Sequence, residues 1–538
     1  VVNIRRTRKL KDLLENREKN EKQEPTEQPL EQTETGMVSG TLDHDIHYLK
    51  TMFQQSSDLV YRSFQIGNQQ DGQLIYFSGF VDQKTLDSAI MKPLLAYQDN
   101  TESGTMFSTH DMDAFVLNQV FSVGKISTGR KLQDVADHIL SGGAVILIDG
   151  VPQALFISAT SREQRAIEEP TTEAVVRGPK EGFIENIQTN ISLVRRRLKT
   201  HRLKVKPTKI GRLSQTDIAI TYIDGIVDPD LIEEVQQRLN RIDIDAIEES
   251  GYIEELLEDN PYSIFPQMLN TERPDRLVGH LLEGKVGILI DNTPFVLILP
   301  ITFYEMMTAS EDYYGRYMIS SAIRLLRYLF LLIAIFFPSI YIAVTTFHQE
   351  LMPTNLLFSV AASRENVPFP AIVEVFLMEI SFEALREAGV RLPKPVGQAV
   401  SIAGALVIGE SAVQAGLVSA PLVIVVAITG IASFMIPSYS LSGGIRVVRF
   451  GMMILTSILG MYGLLLGGFL ILIHMARLRS FGVPYSAPIA PLHVSDLKDV
   501  FIRVPWWAMI KRPQETAKRA PQRMKKFLRP HHHSKRKH

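Results

Sequence analysis

The chain has no cysteine, which excludes disulfides, thiolate catalysis and cysteine-bound zinc or iron–sulfur centres. No helical His-Glu-x-x-His occurs, and Asp43-His44-Asp45-Ile46-His47 reads as the solvated start of a domain rather than a metal site. Glycine loops that cradle phosphate are also absent, because Gly142-Gly143 precedes a strand instead of opening a helix. No nucleophile, base and orienter stand at recognisable spacing, so neither enzymatic activity nor a cofactor is expected. Neither sign of charge predominates: 57 Lys and Arg face 58 Asp and Glu, for a net charge of −1. The basic start, Ile4-Arg5-Arg6-Thr7-Arg8-Lys9-Leu10-Lys11, has no apolar segment behind it, so no signal peptide is expected and the first half should stay in the cytoplasm.

What is present is apolar length, all of it in the second half. Leu325 to Phe347, Val418 to Pro437 and Val447 to Met475 each carry enough apolar residues to cross a hydrocarbon core about 30 Å thick at about 1.5 Å per residue. The expected fold is therefore a soluble α/β N-terminal region followed by an α-helical multi-pass membrane domain. Its segments are a disordered polar arm over 1–40, an α/β subdomain over 41–175, a linker helix over 176–205, a second subdomain over 206–312, transmembrane helices over 313–480 and a basic cytoplasmic tail over 481–538.

The two soluble subdomains are expected to share one design. Ile75 to Asp82 resembles Ala219 to Asp228, and Gly143 to Pro152 parallels Val286 to Pro294. A helix precedes each second pair, over Gln133 to Leu140 and Arg276 to Leu282. Asp149-Gly150 and Asp291-Asn292 are hairpin turns, since residues of these types adopt positive φ. Between the copies lies Arg195-Arg196-Arg197, which lacks interleaved aromatic residues. It reads as a solvated face or an inter-subunit ion pair and not as a nucleic-acid site.

In the membrane region, Arg324 and Arg327 stand at the entry to the first span, and the positive-inside rule then puts the soluble half in the cytoplasm. Pro370 to Ala388 is expected to form one helix, with proline at its first position and Gly389 as its C′ residue. This helix carries Glu374, Glu379, Glu383 and Glu387, too many carboxylates for a lipid-facing surface, so it packs inside an assembly or lies at the interface. Over Val396 to Gln414, Gly397, Ser401, Ala405 and Gly409 recur every four residues, and Gly404 adds to a ribbon along which helices can approach closely. Glu410, Ser411 and Gln414 stand at its far end as pore-lining residues or buried structural hydrogen-bonding groups, and Val407 lies on the same segment. Five spans starting inside would leave the basic tail outside, against the positive-inside rule. One candidate is therefore expected to be interfacial or re-entrant.

Several stretches resemble one family. These are Pro353-Thr354-Asn355-Leu356-Leu357-Phe358-Ser359, Arg364-Glu365-Asn366-Val367-Pro368-Phe369-Pro370, Leu385-Arg386-Glu387-Ala388-Gly389-Val390-Arg391-Leu392-Pro393 and Val407-Ile408-Gly409-Glu410-Ser411-Ala412-Val413-Gln414-Ala415-Gly416. They are similar to the A subunits of spore germinant receptors, the GerA-type family. Glu181-Gly182-Phe183 and Arg273-Pro274-Asp275-Arg276 also fit that family's soluble half. The resemblance, over roughly Asp43 to Asp499, implies a multi-pass subunit of the spore inner membrane. It further implies a transporter-like B subunit and a lipoprotein C subunit as partners, and homo-oligomerisation into a nutrient-gated ion channel. The alternative is a non-conducting scaffold that relays the signal of a nutrient-binding partner. Membrane lipid is an expected contact and nucleic acid is not.

Overall fold

The computed structural model describes residues 36–66, 70–95, 126–158, 169–392, 404, 409–526 and 528–530. The expected arm over 1–35, and His531-His532-His533, lie outside the described residues. Residues 36–40, assigned to the arm on composition, instead join the first unit: Val38 is buried and its N–H donates to Arg130 O at 2.7 Å. The chain divides into two compact units. One contains Val1–Met52, Tyr61–Tyr76 and Gln83–Ala159, and the other contains Phe53–Val60, Phe77–Asp82 and Thr160–His538.

The first unit comprises α1 (Leu42–Met52), β1 (Leu59–Ile66), β2 (Gln70–Phe77), β3 (Ile126–Gly129), α2 (Leu132–Leu140), β4 (Ala144–Ile148) and β5 (Ala154–Ile157). The second begins with α3 (Ile187–Arg197), β6 (Leu203–Ile210), β7 (Thr216–Ile223), α4 (Pro229–Asn240), α5 (Ser250–Leu257), β8 (Leu269–Thr271), α6 (Pro274–Leu281), β9 (Val286–Ile290) and β10 (Val296–Leu299). The sheets have the same strand order, β1-β2-β4-β5-β3 and β6-β7-β9-β10-β8, so the duplication seen in sequence is a duplication of topology. Registers correspond as well. Gly72 pairs with Ile148 where β2 meets β4, and Ile218 pairs with Ile290 where β7 meets β9.

Both faces of the second sheet are covered, so β7 is buried at every position but Asp217 and does not alternate between buried and exposed residues. Ile218, Ile220 and Tyr222 pack under α4 and α5, while Ala219 and Ile223 pack with α3 and α6. Capping fixes where these helices start. The Asn186 side chain accepts from Thr189 N at 3.0 Å, and Asp228 caps α4 just before Pro229, whose missing N–H is free of cost at that position. The hairpin connections span 149–153 and 291–295, and Gly150 and Asn292 take φ of 79° and 70°. A β-branched residue in left-handed backbone costs roughly 1–2 kcal/mol. Thermal unfolding of full-length Asn292→Val should show that loss, whereas Asn292→Gly should unfold as the parent does.

Arg195, expected on a solvated face or between subunits, is buried within the chain. It forms a two-pronged ion pair with buried Asp58 and lies 4.1 Å from the Phe77 ring centroid. Arg197 reaches Glu181 at 2.7 Å, and Arg196 lies over Phe80.

The helical region follows as α7 (Tyr317–Thr346), α8 (Thr354–Arg364), α9 (Ala371–Arg391), α10 (Ala420–Phe434) and the stretch Tyr439–Arg477. Two of these, Tyr317–Thr346 and Tyr439–Arg477, are long and apolar enough to cross a membrane. The sequence expectation of one crossing over Val447 to Met475 is corrected here. Gly460 takes φ 58° and ψ −140°, which is not helical, and the chain reverses at it. Gly463 packs against Leu455, and Gly467 against Met452 and Leu455, contacts that a straight helix would hold more than 10 Å apart at 1.5 Å per residue. Residues 439–459 and 461–477 are thus two antiparallel arms, α11 and α12. Their free ends return to the soluble half, where Ser440 Oγ donates to Asn270 Oδ1 at 3.3 Å and Ser263 Oγ bonds His474 Nε2 at 3.0 Å. The turn lies against Phe347, at the far end of α7.

This reversal brings the chain back to the soluble half, where Arg512 Nε donates to Leu282 O at 2.6 Å. Two helix limits also differ from expectation. Pro370 is the N-cap of α9 and not its first helical residue, and Gly389 does not end the helix. α9 runs on to Arg391 and stops because Leu392, preceding Pro393, is held extended. The third candidate crossing contains only the 15-residue helix α10.

After α12 the chain forms a two-stranded hairpin, β11 (Arg479–Ser480) and β12 (Val483–Pro484), and then folds back over the soluble half. Fully buried Tyr485 lies in the core that joins the sheet's second face to α7 and α11.

Candidate functional site

An apolar helix exposes its ionisable groups to hydrocarbon unless something neutralises them, and each such charge costs about 2.5–3.5 kcal/mol at mid-membrane on insertion scales. The four carboxylates of α9 meet this constraint by pairing. Buried Glu374 receives Arg364 at 3.0 Å from α8 and accepts from Ser419 N at 3.1 Å, and Ser419 Oγ bonds Tyr341 of α7 at 3.1 Å. One turn and more along α9, buried Glu379 and half-buried Glu383 share Arg449 of α11, at 3.1 and 2.8 Å. Glu383 also receives Arg446 at 3.1 Å. Exposed Glu387 pairs with Arg391 at 2.6 Å within its own helix. Three of these four carboxylates of α9 are thus paired with cations on neighbouring helices of the same chain.

The pairing is incomplete at one point. Neither oxygen of Glu379, nor Nε of Arg449, has an aligned hydrogen-bond partner, although the two side chains lie within ion-pair distance. Arg386 has no carboxylate within ion-pair distance among the described residues and lies 4.8 Å over the Phe434 ring instead.

The ribbon residues Gly397, Ser401 and Ala405, and Val407 beside them, lie outside the described residues. Gly404 faces Leu385 of α9 so closely that a Cβ would sit 2.6 Å from its Cδ2. Gly409 is buried, with Val423 Cγ1 at 3.4 Å from a Cβ position, and Ala412 is buried with it. Glu410, Ser411 and Gln414 occupy the opposite face and are exposed. Gln414 Nε2 donates to Glu410 Oε1 at 3.0 Å, one turn away. The segment is thus small and packed on one side, with an acid and an amide presented outward on the other. Glu374 and Glu379 do not join this group, since they belong to the internal ion pairs.

A second cluster lies where α7 leaves the soluble half. Arg324 and Arg327, read from sequence as topological charges, are both buried and share Asp312. Arg324 also donates to Asp499 at 2.8 Å, 175 residues further along the chain. Beside this joint is a cavity of about 510 Å³ lined by α6, the segment before α7 and the C-terminal segment. His280, Glu283 and Glu305 converge there closely enough to approach one ion. Both carboxylates already have cations, however: Lys285 lies 2.5 Å from Glu305 as an ion pair and Arg523 pairs with Glu283. Burial, reinforced by Lys285, Arg276 and Arg523, holds the His280 imidazole well below its usual pKa. A divalent cation would have to enter among these fixed positive charges, so the donor set does not favour a metal.

Sequence reasoning missed the basic partners, because Arg364, Arg446 and Arg449 are 10 to 70 residues from the acids they meet. The signal was present: four acids on one apolar helix require matching cations somewhere on its neighbours.

The chain thus joins a duplicated α/β half to apolar helices, with carboxylates paired from neighbouring helices and a polar pair turned outward. The chain belongs to the family described as Bacillus/Clostridium GerA spore germination protein, whose sequence profile matches residues 47–515. This is the family of germinant receptor A subunits, in agreement with the motifs at Pro353, Arg364, Leu385 and Val407. Among its relatives, spore germination protein KA of Bacillus subtilis (strain 168) is 46% identical over 496 residues, covering 92% of this chain and 90% of that one. Spore germination protein B1 of the same organism is 41% identical over 477 residues, covering 88% and 97%. An uncharacterized membrane protein, YfkQ, again of B. subtilis, is 47% identical over 486 residues, covering 90% and 93%. The crystal structure of the N-terminal domain of the A subunit of the Bacillus megaterium spore germinant receptor GerK3 is 32% identical, with a TM-score of 0.40, over 50% of this chain and 97% of that one.

Proposed function

We propose that this chain is the A subunit of a nutrient germinant receptor in the spore inner membrane, and that several copies surround a shared axis to form a gated cation path. The soluble half faces the spore core, on the side of the basic tail. A transporter-like B subunit senses the nutrient, and a lipoprotein C subunit completes the receptor. One observation carries this reading: Glu410, Ser411 and Gln414 are exposed on a segment whose other face is packed. A carboxylate turned away from its own helices in a membrane needs a polar surrounding, either water or the same surface of another copy. A ring of such carboxylates attracts cations and repels anions. The eleven Lys and Arg of residues 505–538, against one acid, support the orientation through the positive-inside rule.

The non-conducting scaffold reading assigns the same exposed face to contact with a partner subunit. Potassium efflux from spores on nutrient addition separates the two. With Glu410→Gln, which keeps shape and removes charge, efflux should slow while receptor levels stay normal. Unchanged efflux at normal levels would remove Glu410 from the conducting path and favour the scaffold.

A further inference from the structure

The chain has two tryptophans, Trp506 and Trp507, adjacent to one another on the C-terminal segment and both substantially exposed. That segment is fastened along the outside of α7. The Phe501 ring lies 4.9 Å from Tyr328, Ser321 Oγ donates to Arg503 O at 3.0 Å, and Trp506 Nε1 donates to Tyr313 O at 3.3 Å. Arg503, buried, donates to Gly315 O at 3.1 Å and lies 5.5 Å over the Trp506 ring. The result is a fixed patch, because its backbone is bonded to the first turns of α7 and to the loop before it.

The outer surface of this patch is apolar. Ile502, Trp506 and Trp507 are all exposed, and the first turns of α7, to which the segment is fastened through Ser321, carry exposed Met318, Ile319 and Ile323. Its rim is basic. Arg529 lies 5.3 Å over Trp507, Lys511, Lys525 and Lys526 are exposed, and residues 505–538 contain eleven Lys and Arg against the single acid Glu515. Tryptophan with cationic neighbours is the composition that settles at the headgroup level of a bilayer, where the indole ring is half in hydrocarbon and lysine reaches anionic phosphate. Helix α7 is also about 45 Å long at 1.5 Å per residue, so its first turns extend past a core about 30 Å thick into the interfacial region.

We infer that residues 501–529 form a surface anchor that binds anionic phospholipid headgroups beside the start of α7. Its basic part extends beyond residue 515, where the family match ends. The inference rests on the membrane-protein reading of the helices but not on ion conduction. A second copy of the chain is the competing occupant.

Because both tryptophans lie here, intrinsic tryptophan emission reports on this patch alone. The full-length chain is reconstituted in vesicles of phosphatidylcholine, or of phosphatidylcholine mixed with phosphatidylglycerol, with bromine on the acyl chains of one lipid at a time. Brominated phosphatidylglycerol should quench the emission more than brominated phosphatidylcholine at equal content. High salt and the triple variant Lys511→Gln, Lys525→Gln, Lys526→Gln should each abolish that difference while the far-ultraviolet circular dichroism stays as in the parent. Equal quenching by the two lipids would overturn headgroup recognition. Absence of quenching, together with crosslinking between copies through Trp507→Cys, would assign the patch to a second copy.

Discussion

Gly460→Val should remove the C-terminal tail from its native side of the membrane. A φ of 58° with ψ of −140° is the first central position of a type II′ turn, which glycine tolerates and a β-branched residue does not. Backbone strain of this kind costs on the order of 1–3 kcal/mol. A Cβ would also stand 2.9 Å from Cγ of Phe347 and 3.1 Å from its Cβ. The competing conformation is close at hand: a continuous helix over Tyr439–Arg477 would be about 58 Å long and would carry the tail to the opposite face. The chain has no native cysteine, so a lone reporter can be placed at exposed Lys518 without background. With Lys518→Cys alone, a membrane-impermeant maleimide should label from the side that also labels a cysteine in the soluble half. Adding Gly460→Val should lose that labelling, either by exchanging sides or by loss of the protein from the membrane fraction. Unaltered labelling at normal abundance would show that the reversal does not depend on glycine.

The second large effect concerns Arg449, which serves Glu379 and Glu383 together. Arg449→Met leaves Glu379 buried with no cation, and breaking a buried pair by removing one member costs about 3–5 kcal/mol. Much of that cost belongs to the stranded carboxylate, so a compensating change should recover it. Glu379→Gln in the Arg449→Met background is expected to restore most of the lost thermal stability in detergent. Glu383 keeps Arg446 in every variant. A double-mutant cycle measures the coupling directly. If the two substitutions simply add, Glu379 and Arg449 do not act as a pair, and the bundle is held by its apolar contacts alone.

The features read correctly from sequence are those whose physics is local. The paired turns at Asp149-Gly150 and Asp291-Asn292 depend on a single positive φ, and the helices before β4 and β9 depend on a short apolar period. The strand order is less local, yet one repeated pattern implied one repeated topology. Boundaries failed where two local signals competed. Gly389 resembled a helix terminator, but it is Pro393 that stops α9, through the restricted backbone of Leu392. Gly460 failed for a different reason. Among Gly460, Gly463, Gly467 and Gly468, one glycine is a turn, and sequence spacing alone does not separate turning from packing. Length gave a clue, since the apolar stretch from Val447 to Met475 is about half as long again as one crossing needs. The ion pairs were the least legible. Glu379 finds Arg449 only after α9 and α11 have been laid side by side, and Arg195 finds Asp58 across 137 residues.

The bond between Arg324 and Asp499 also has a meaning in time. The guanidinium emerges from the ribosome 175 residues before the carboxylate that completes its surroundings. At a synthesis rate of ~5–20 residues per second, the interval is roughly 10–35 s. During it, α7 has Asp312 alone to share between two buried arginines. The first helix therefore reaches its final electrostatic balance only when nearly the whole chain has been made. A nascent chain cut short before Asp499 carries an excess positive charge at this joint.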